Sequence, residues 1–134
     1  KNIFYEGFVN VDSKKFEDLA SSCSFSIFNT AAEGVATSVA SVMIAGIVPI
    51  VNYEAGVNVD NIKLGIKGNN DRVKSTEDAI IKATALSDND YKNAVMKTII
   101  ESEKYTQQSF STSFKSSVSK IMQDFFITNK NEII

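Results

Sequence analysis

The residues best placed to do chemistry in this chain sit in one short stretch, Glu33-Gly34-Val35-Ala36-Thr37-Ser38. A carboxylate, a glycine and a run of small residues stand ahead of an apolar segment, Thr37 to Ala45, that reads as a helix ending at Gly46. A helix start leaves its first N–H groups without carbonyl partners and carries the positive end of the helix dipole. Those N–H groups belong to about Val35, Ala36, Thr37 and Ser38, whose side chains are small enough for a phosphate to approach the backbone. Gly34 gives the loop freedom to turn into the helix. Glu33 projects from the same loop and can accept hydrogen bonds from hydroxyl groups such as those of a sugar. The stretch suits a ligand that carries both phosphate and hydroxyls. A plainer alternative fits the same residues, with Gly34 a turn residue and Glu33 a solvated loop charge.

Other candidates carry less. Asp71 and Arg72 lie in a polar loop and read as solvated charges. Ser87-Asp88-Asn89-Asp90 lacks the central glycine and distal glutamate of a calcium loop, so it reads as a helix cap. Lys14, Lys15, Lys115 and Lys120 fall on outer helix faces and form no dense basic patch. Cys23, the single cysteine, falls on the apolar face of a predicted helix and reads as a small core residue. No G-x-G-x-x-G, Walker A or G-x-S-x-G motif is present.

Composition bounds what the chain can do. Its 134 residues are the size of one ordinary domain, and 43% apolar residues are enough to bury a core. There is no histidine, which excludes a histidine base, nucleophile or metal ligand. A net charge of −2 gives no reason to expect a nucleic-acid partner. The longest apolar run, Val39 to Val51, is about 13 residues against the roughly 20 that a membrane span needs, and it contains Gly46 and Pro49. The chain opens at Lys1 without methionine and enters a strand pattern almost at once, so a fragment is expected.

The elements that must position Glu33 follow from periodicity. Asn2 to Val9 reads as a strand covered on both faces. Asp12 or Ser13 can cap a helix whose face is Phe16, Leu19, Ala20 and Cys23. Ser24 to Phe28 is a second strand, and Ile47 to Val51 a third, with Pro49 expected at a strand end or an irregular position. Between them the helix carrying Val39, Val42 and Met43 completes a βαβ unit, with Gly46 placed as its C′ residue. Ile62 to Ile66 is a short fourth strand, and Gly68 to Lys74 a polar loop. Three helices follow. The first runs from about Thr76 to Leu86 behind a Ser75/Asp78 capping box. The second starts at a repeat of that signal, Ser87/Asp90, and carries Tyr91, Ala94, Val95, Thr98 and Ile99 on one face. A polar break, Thr106 to Ser109, precedes the third, whose stripe is Phe114, Val118, Ile121, Met122 and Phe125. A frayed tail, Thr128 to Ile134, closes the chain. The expected fold class is α/β: a Rossmann-like three-layer αβα arrangement with a parallel sheet of about four strands and a helical C-terminal part.

Glu33-Gly34, then Val39, Met43 and Gly46, then Pro49-Ile50-Val51 resembles the donor-site signature of retaining glycosyltransferases of family 4, the group 1 type, whose pattern is roughly E-G-F-G-x-P-x-x-E-A-M-A-x-G-x-P-V-I. The flanks are similar too: Gly7-Phe8-Val9 resembles the family's Gly-aromatic-Val turn, and Ala55-Gly56-Val57 its Ser-Gly-Ile turn. The resemblance covers most of the chain. It implies one domain over 1–134, the latter part of the C-terminal donor-binding domain of a GT-B enzyme whose site lies in the cleft between two Rossmann-like domains. It implies that Glu33 and Gly34 contact the donor sugar, that the backbone of Val35, Ala36 and Thr37 holds the donor near its phosphates, and that Phe8 and Val9 lie near the base. The donor would be a nucleotide sugar, UDP- or GDP-linked, with no cofactor and no metal ion. The partner would be the parent's N-terminal acceptor domain, against which the last helices pack. The setting would be cytoplasmic, with room for peripheral association at the inner membrane face and an oligomeric state left open.

The departures matter as much. The family's second glutamate, which holds the ribose, is Ser41 here. Ala36 and Ser38 replace the usual Gly and Pro, and Asn29-Thr30 the usual Pro-Ser. The family's diphosphate-clamping basic residues lie upstream of this stretch. The chain alone is therefore expected to be inactive, and a non-catalytic domain serving as partner or scaffold is the rival reading. A receiver-type flavodoxin-like domain is disfavoured, since no acidic cluster follows the first strand.

Overall fold

The computed structural model describes residues 2–58 and 72–130. They fall into two compact units, within 1–102 and within 103–134.

In the first unit, Ser13 starts helix α1 (Lys14–Ser22), its hydroxyl accepting from the N–H of Phe16 at 3.2 Å. Lys14 bridges Glu17 at 3.3 Å and Asp18 at 3.0 Å on the solvent face, pairs worth less than about 1 kcal/mol each. Phe16, Leu19 and Ala20 are half-buried, as their spacing predicts. Cys23 departs from its expected core position and is exposed. The helix has already ended, Cys23 has the extended backbone of its C-cap, and helical periodicity no longer aims its side chain inward.

Strands β1 (Phe25–Phe28) and β2 (Val48–Val51) pair in parallel, Phe25 opposite Val48 and Phe28 opposite Val51. Helix α2 (Thr37–Ile44) joins them and completes the expected βαβ unit. Its C-terminus is a Schellman motif: the Gly46 N–H donates to the Met43 carbonyl at 2.9 Å and the Ile47 N–H to that of Val42 at 3.0 Å. Gly46 takes φ 80°, the left-handed conformation expected of a C′ glycine. Met43 and Val39 are 0% and 2% exposed, packed with Val48, Ile50 and Val51 in the core. Full burial of one such side chain is worth about 1.5–3 kcal/mol. Pro49 is not at a strand end. It is fully buried within β2, opposite Ser26, and its missing N–H is tolerated because β1 is the only strand paired with β2 among the described residues.

Among the described residues the sheet has two strands, not about four. Asn2 to Val9 forms no strand. A strand exists only where its N–H and C=O groups find a neighbouring strand, and this segment has none among the described residues. Ile3 is 94% exposed and Phe8 95%, and Gly7 breaks the run with φ 67°. The predicted strand Ile62 to Ile66, and Asp71 with it, lie outside the described residues.

Helix α3 spans Arg72–Thr84, starting earlier than its Ser75/Asp78 signal predicts. Asp78 does not close a capping box: its carboxylate pairs with Lys74 one turn back, at 3.0 Å. Ser87 does start helix α4 (Asp88–Ser102), accepting from the Asp90 N–H at 3.2 Å and donating to the Asp90 carboxylate at 2.7 Å. Ala94 and Thr98 are buried, Tyr91 and Val95 half-buried, and Ile99 lies at the rim of that face. Tyr91 meets Phe25 edge-on, ring centroids 5.4 Å apart, which ties α4 to β1. Glu101 is buried as well, which the apolar pattern does not reveal.

In the second unit the polar break becomes a cap. A 3₁₀ turn (Glu103–Tyr105) leads to Thr106, whose hydroxyl accepts from the Ser109 N–H at 3.2 Å, starting helix α5 (Gln107–Lys130). Its predicted stripe, Phe114, Val118, Ile121, Met122 and Phe125, is exposed rather than buried, and so is Phe110. No described helix is long and apolar enough to cross a membrane.

Three glycines predict an ordered series in chemical denaturation. An added Cβ at Gly46 meets Val95 and Ile99 only at ordinary contact, 3.7 Å, so Gly46→Ala loses about 1 kcal/mol to backbone strain alone. At Gly56 the φ is also positive, and the Cβ would strike the Gly34 carbonyl, its carbon 2.7 Å away. Gly56→Ala is expected to cost about 3 kcal/mol. Gly34 has open space and no positive φ, so Gly34→Ala is expected to be neutral or stabilising by up to about 1 kcal/mol.

Candidate functional site

The candidate site is the loop between β1 and α2, at the carboxyl end of a parallel strand, where α/β folds bind ligands. Residues 29–36 are fastened to the turn that follows β2. Asn52, 3% exposed, donates from its amide nitrogen to the Thr30 carbonyl at 2.6 Å and accepts from the Thr30 N–H at 3.2 Å. The Glu33 N–H donates to the Glu54 carbonyl at 2.8 Å, and the Ala36 N–H to that of Ala55 at 2.9 Å. Gly56, left-handed at φ 66°, lies directly against the Gly34 carbonyl. The glycine this contact requires is therefore Gly56, not Gly34.

This lacing decides what each predicted residue offers. Glu33 is exposed, and no hydrogen bond or ion pair engages its carboxylate among the described residues. Gly34 and Val35 are exposed beside it. Ala36 is buried and its N–H donates to the Ala55 carbonyl. Thr37 and Ser38 are the first helical residues and are exposed. No intrahelical carbonyl reaches their N–H groups, and Ala36 supplies no side-chain cap. Of the predicted Val35 to Thr37 backbone, the Ala36 N–H is the one committed within the fold, and Thr37 and Ser38 carry the first N–H groups of α2. Ser41 is half-buried and donates to the Thr37 carbonyl one turn back at 3.0 Å. Phe8 and Val9 lie on the unpaired N-terminal segment, outside this loop-and-helix cluster.

Asn29 and Thr30, which look like a mere departure in the sequence, have structural work. Thr30 is the anchor for Asn52. Asn29 donates to the Thr76 hydroxyl at 3.0 Å, tying β1 to α3. That contact borders an open groove of about 570 Å³ lined by Asn29, Val73, Thr76, Glu77, Ile80 and Ile81, within the size range of small-molecule sites. Sequence reasoning missed it, although Val73, Glu77 and Ile80 recur at helical spacing. Glu77 also lies 3.5 Å from Lys74. The Lys74 pKa is raised, first by the hydrogen bond and charge of Asp78 and then by Glu77. On the alkaline side, this exposed cluster loses its favourable pairing as pH rises through the raised Lys74 value. No described group of three or more His, Cys, Asp or Glu side chains could hold a metal ion.

No protein-family model, curated protein or solved structure matches the chain.

The Asn52 clamp makes a stability prediction. Asn52→Ala removes both bonds to the Thr30 backbone and is expected to cost about 2 kcal/mol. Amide exchange at Glu33 and Ala36 should accelerate beyond the change seen in the centre of α4. Equal acceleration throughout the first unit would mean that the clamp acts on the whole fold and not on the loop.

Proposed function

We propose that this chain is the nucleotide-sugar donor-binding part of a retaining glycosyltransferase that transfers a sugar to a polysaccharide or glycoconjugate acceptor. One observation carries the reading. An exposed carboxylate, Glu33, unengaged among the described residues, stands in the loop immediately before a helix N-terminus without a side-chain cap, at the carboxyl end of a parallel strand. The helix end suits a diphosphate and the carboxylate suits sugar hydroxyls. In this reading the two paired strands belong to a Rossmann-like parallel sheet of about four, and an N-terminal acceptor domain completes the cleft. Charge developing on the leaving diphosphate is then stabilised by Thr37 and Ser38 N–H groups together with cations supplied from outside this stretch. The donor is UDP- or GDP-linked, and the setting is cytoplasmic or at the inner membrane face.

A second reading, a non-catalytic domain of the same architecture acting as partner or scaffold, draws on two other observations. The Ala36 N–H is committed to Ala55, and Ser41 stands where a ribose-binding carboxylate is expected, its hydroxyl committed to its own helix.

Calorimetric titration of the full-length protein with UDP and GDP separates the two. Under the transferase reading one nucleotide binds, and Glu33→Ala weakens binding of its sugar conjugate by about tenfold, the loss of one charged hydrogen bond. Ser41→Glu should tighten binding if it restores a ribose contact. Absence of binding by either nucleotide or its sugar conjugates would sink the first reading and leave the second.

A further inference from the structure

Tyr53 is the one aromatic residue on the two laced loops, 29–36 and 52–57. It stands between two of their anchors. Before it, Asn52 holds the Thr30 backbone with both ends of its amide. After it, the Glu54 carbonyl takes the Glu33 N–H at 2.8 Å. Tyr53 opens a 3₁₀ turn, Tyr53–Ala55, and its own carbonyl accepts from the Gly56 N–H at 3.3 Å. The bonds that fix the Glu33 loop therefore fix the Tyr53 backbone as well. This turn buries most of its side chains, with Asn52 3% exposed, Ala55 0% and Val57 6%. Tyr53 instead leaves 48% of its surface in solvent.

A pyranose offers two kinds of surface. Its rim carries hydroxyls, which donate to a carboxylate. Its C–H groups form an apolar face with partial positive charge, which suits the electron-rich face of an aromatic ring. Glu33 supplies the partner for the rim. We propose that Tyr53 supplies the partner for the face: its ring stacks on the sugar of the donor while Glu33 takes the hydroxyls. This inference rests on the glycosyltransferase reading and adds a residue that separates a nucleotide sugar from its bare nucleotide. The placement suits the task. A side chain on a turn held at both ends loses little freedom when a ligand arrives, so most of the stacking energy goes into binding.

Calorimetric titration of the full-length protein, its Tyr53→Ala variant and its Tyr53→Phe variant tests it, with UDP, UDP-glucose, UDP-galactose, GDP and GDP-mannose as probes. The unaltered protein should bind at least one of these nucleotide sugars more tightly than the matching bare nucleotide. Tyr53→Ala is expected to weaken that nucleotide sugar about tenfold while the bare nucleotide stays within about twofold. Tyr53→Phe keeps the ring and should retain most of the affinity. Unchanged binding of the bare nucleotide reports that each variant still folds. An undiminished preference for the nucleotide sugar in Tyr53→Ala overturns the proposal. Equal losses for nucleotide and nucleotide sugar overturn it too and leave Tyr53 a structural residue of its turn. A loss in Tyr53→Phe as large as in Tyr53→Ala overturns stacking in favour of the hydroxyl. Nucleotide binding with no gain from any of the sugars overturns this inference while the glycosyltransferase reading stands. Absence of all nucleotide binding is the separate failure, which sinks that reading and this inference with it.

Discussion

The described part of the first unit depends on how two loops at one end of a parallel strand pair are fastened together. Asn52 holds the backbone of Thr30 from both sides, the carbonyls of Glu54 and Ala55 take the N–H groups of Glu33 and Ala36, and Gly56 lets two backbones touch at Gly34. The region is rich in backbone polar groups, and each buried one must find a partner. Answering them between loops rather than with water gives the segment before α2 a fixed course. A loop with this much internal bonding can present a carboxylate and a helix end in constant relation to each other, which is what recognition of a two-part ligand requires.

The same fastening limits the site. Every N–H used to lace the loops is one fewer for a ligand, and Ala36 is the clear case. What remains is Glu33 in solvent and the first amides of α2. The Asn29 side chain bonds Thr76 of α3, and the Asn52 side chain, just after β2, holds the Thr30 backbone. Rigidity is thus achieved by side-chain bonds.

Much of the local structure was legible because it depends on neighbours a few residues apart. Ser13, Ser87 and Gly46 announce their caps, since a side-chain oxygen reaching an N–H three residues on, or a left-handed residue after a helix, is local geometry. The βαβ unit was legible for the same reason: apolar runs of strand length flank an apolar run with a helical stop signal. Signals that compete locally misled. Asp78 had a closer cation in Lys74 than a cap to close, and Cys23 kept helical spacing after its helix had ended.

By itself, the sequence determined where α1, α2 and α4 start and that α2 stops at Gly46, which strands flank α2, and that Glu33 precedes a helix of small residues. Tertiary structure alone decided which of those groups are free. Asn52 lies about twenty residues from the Thr30 it holds, Gly56 a similar distance from the Gly34 it admits, and no periodicity encodes either meeting. It likewise decided that the α5 stripe is exposed and that Asn2–Val9 is unpaired. An apolar pattern states that a face would gain by leaving water, but only the arrangement of the chain in space determines whether anything is there to cover it.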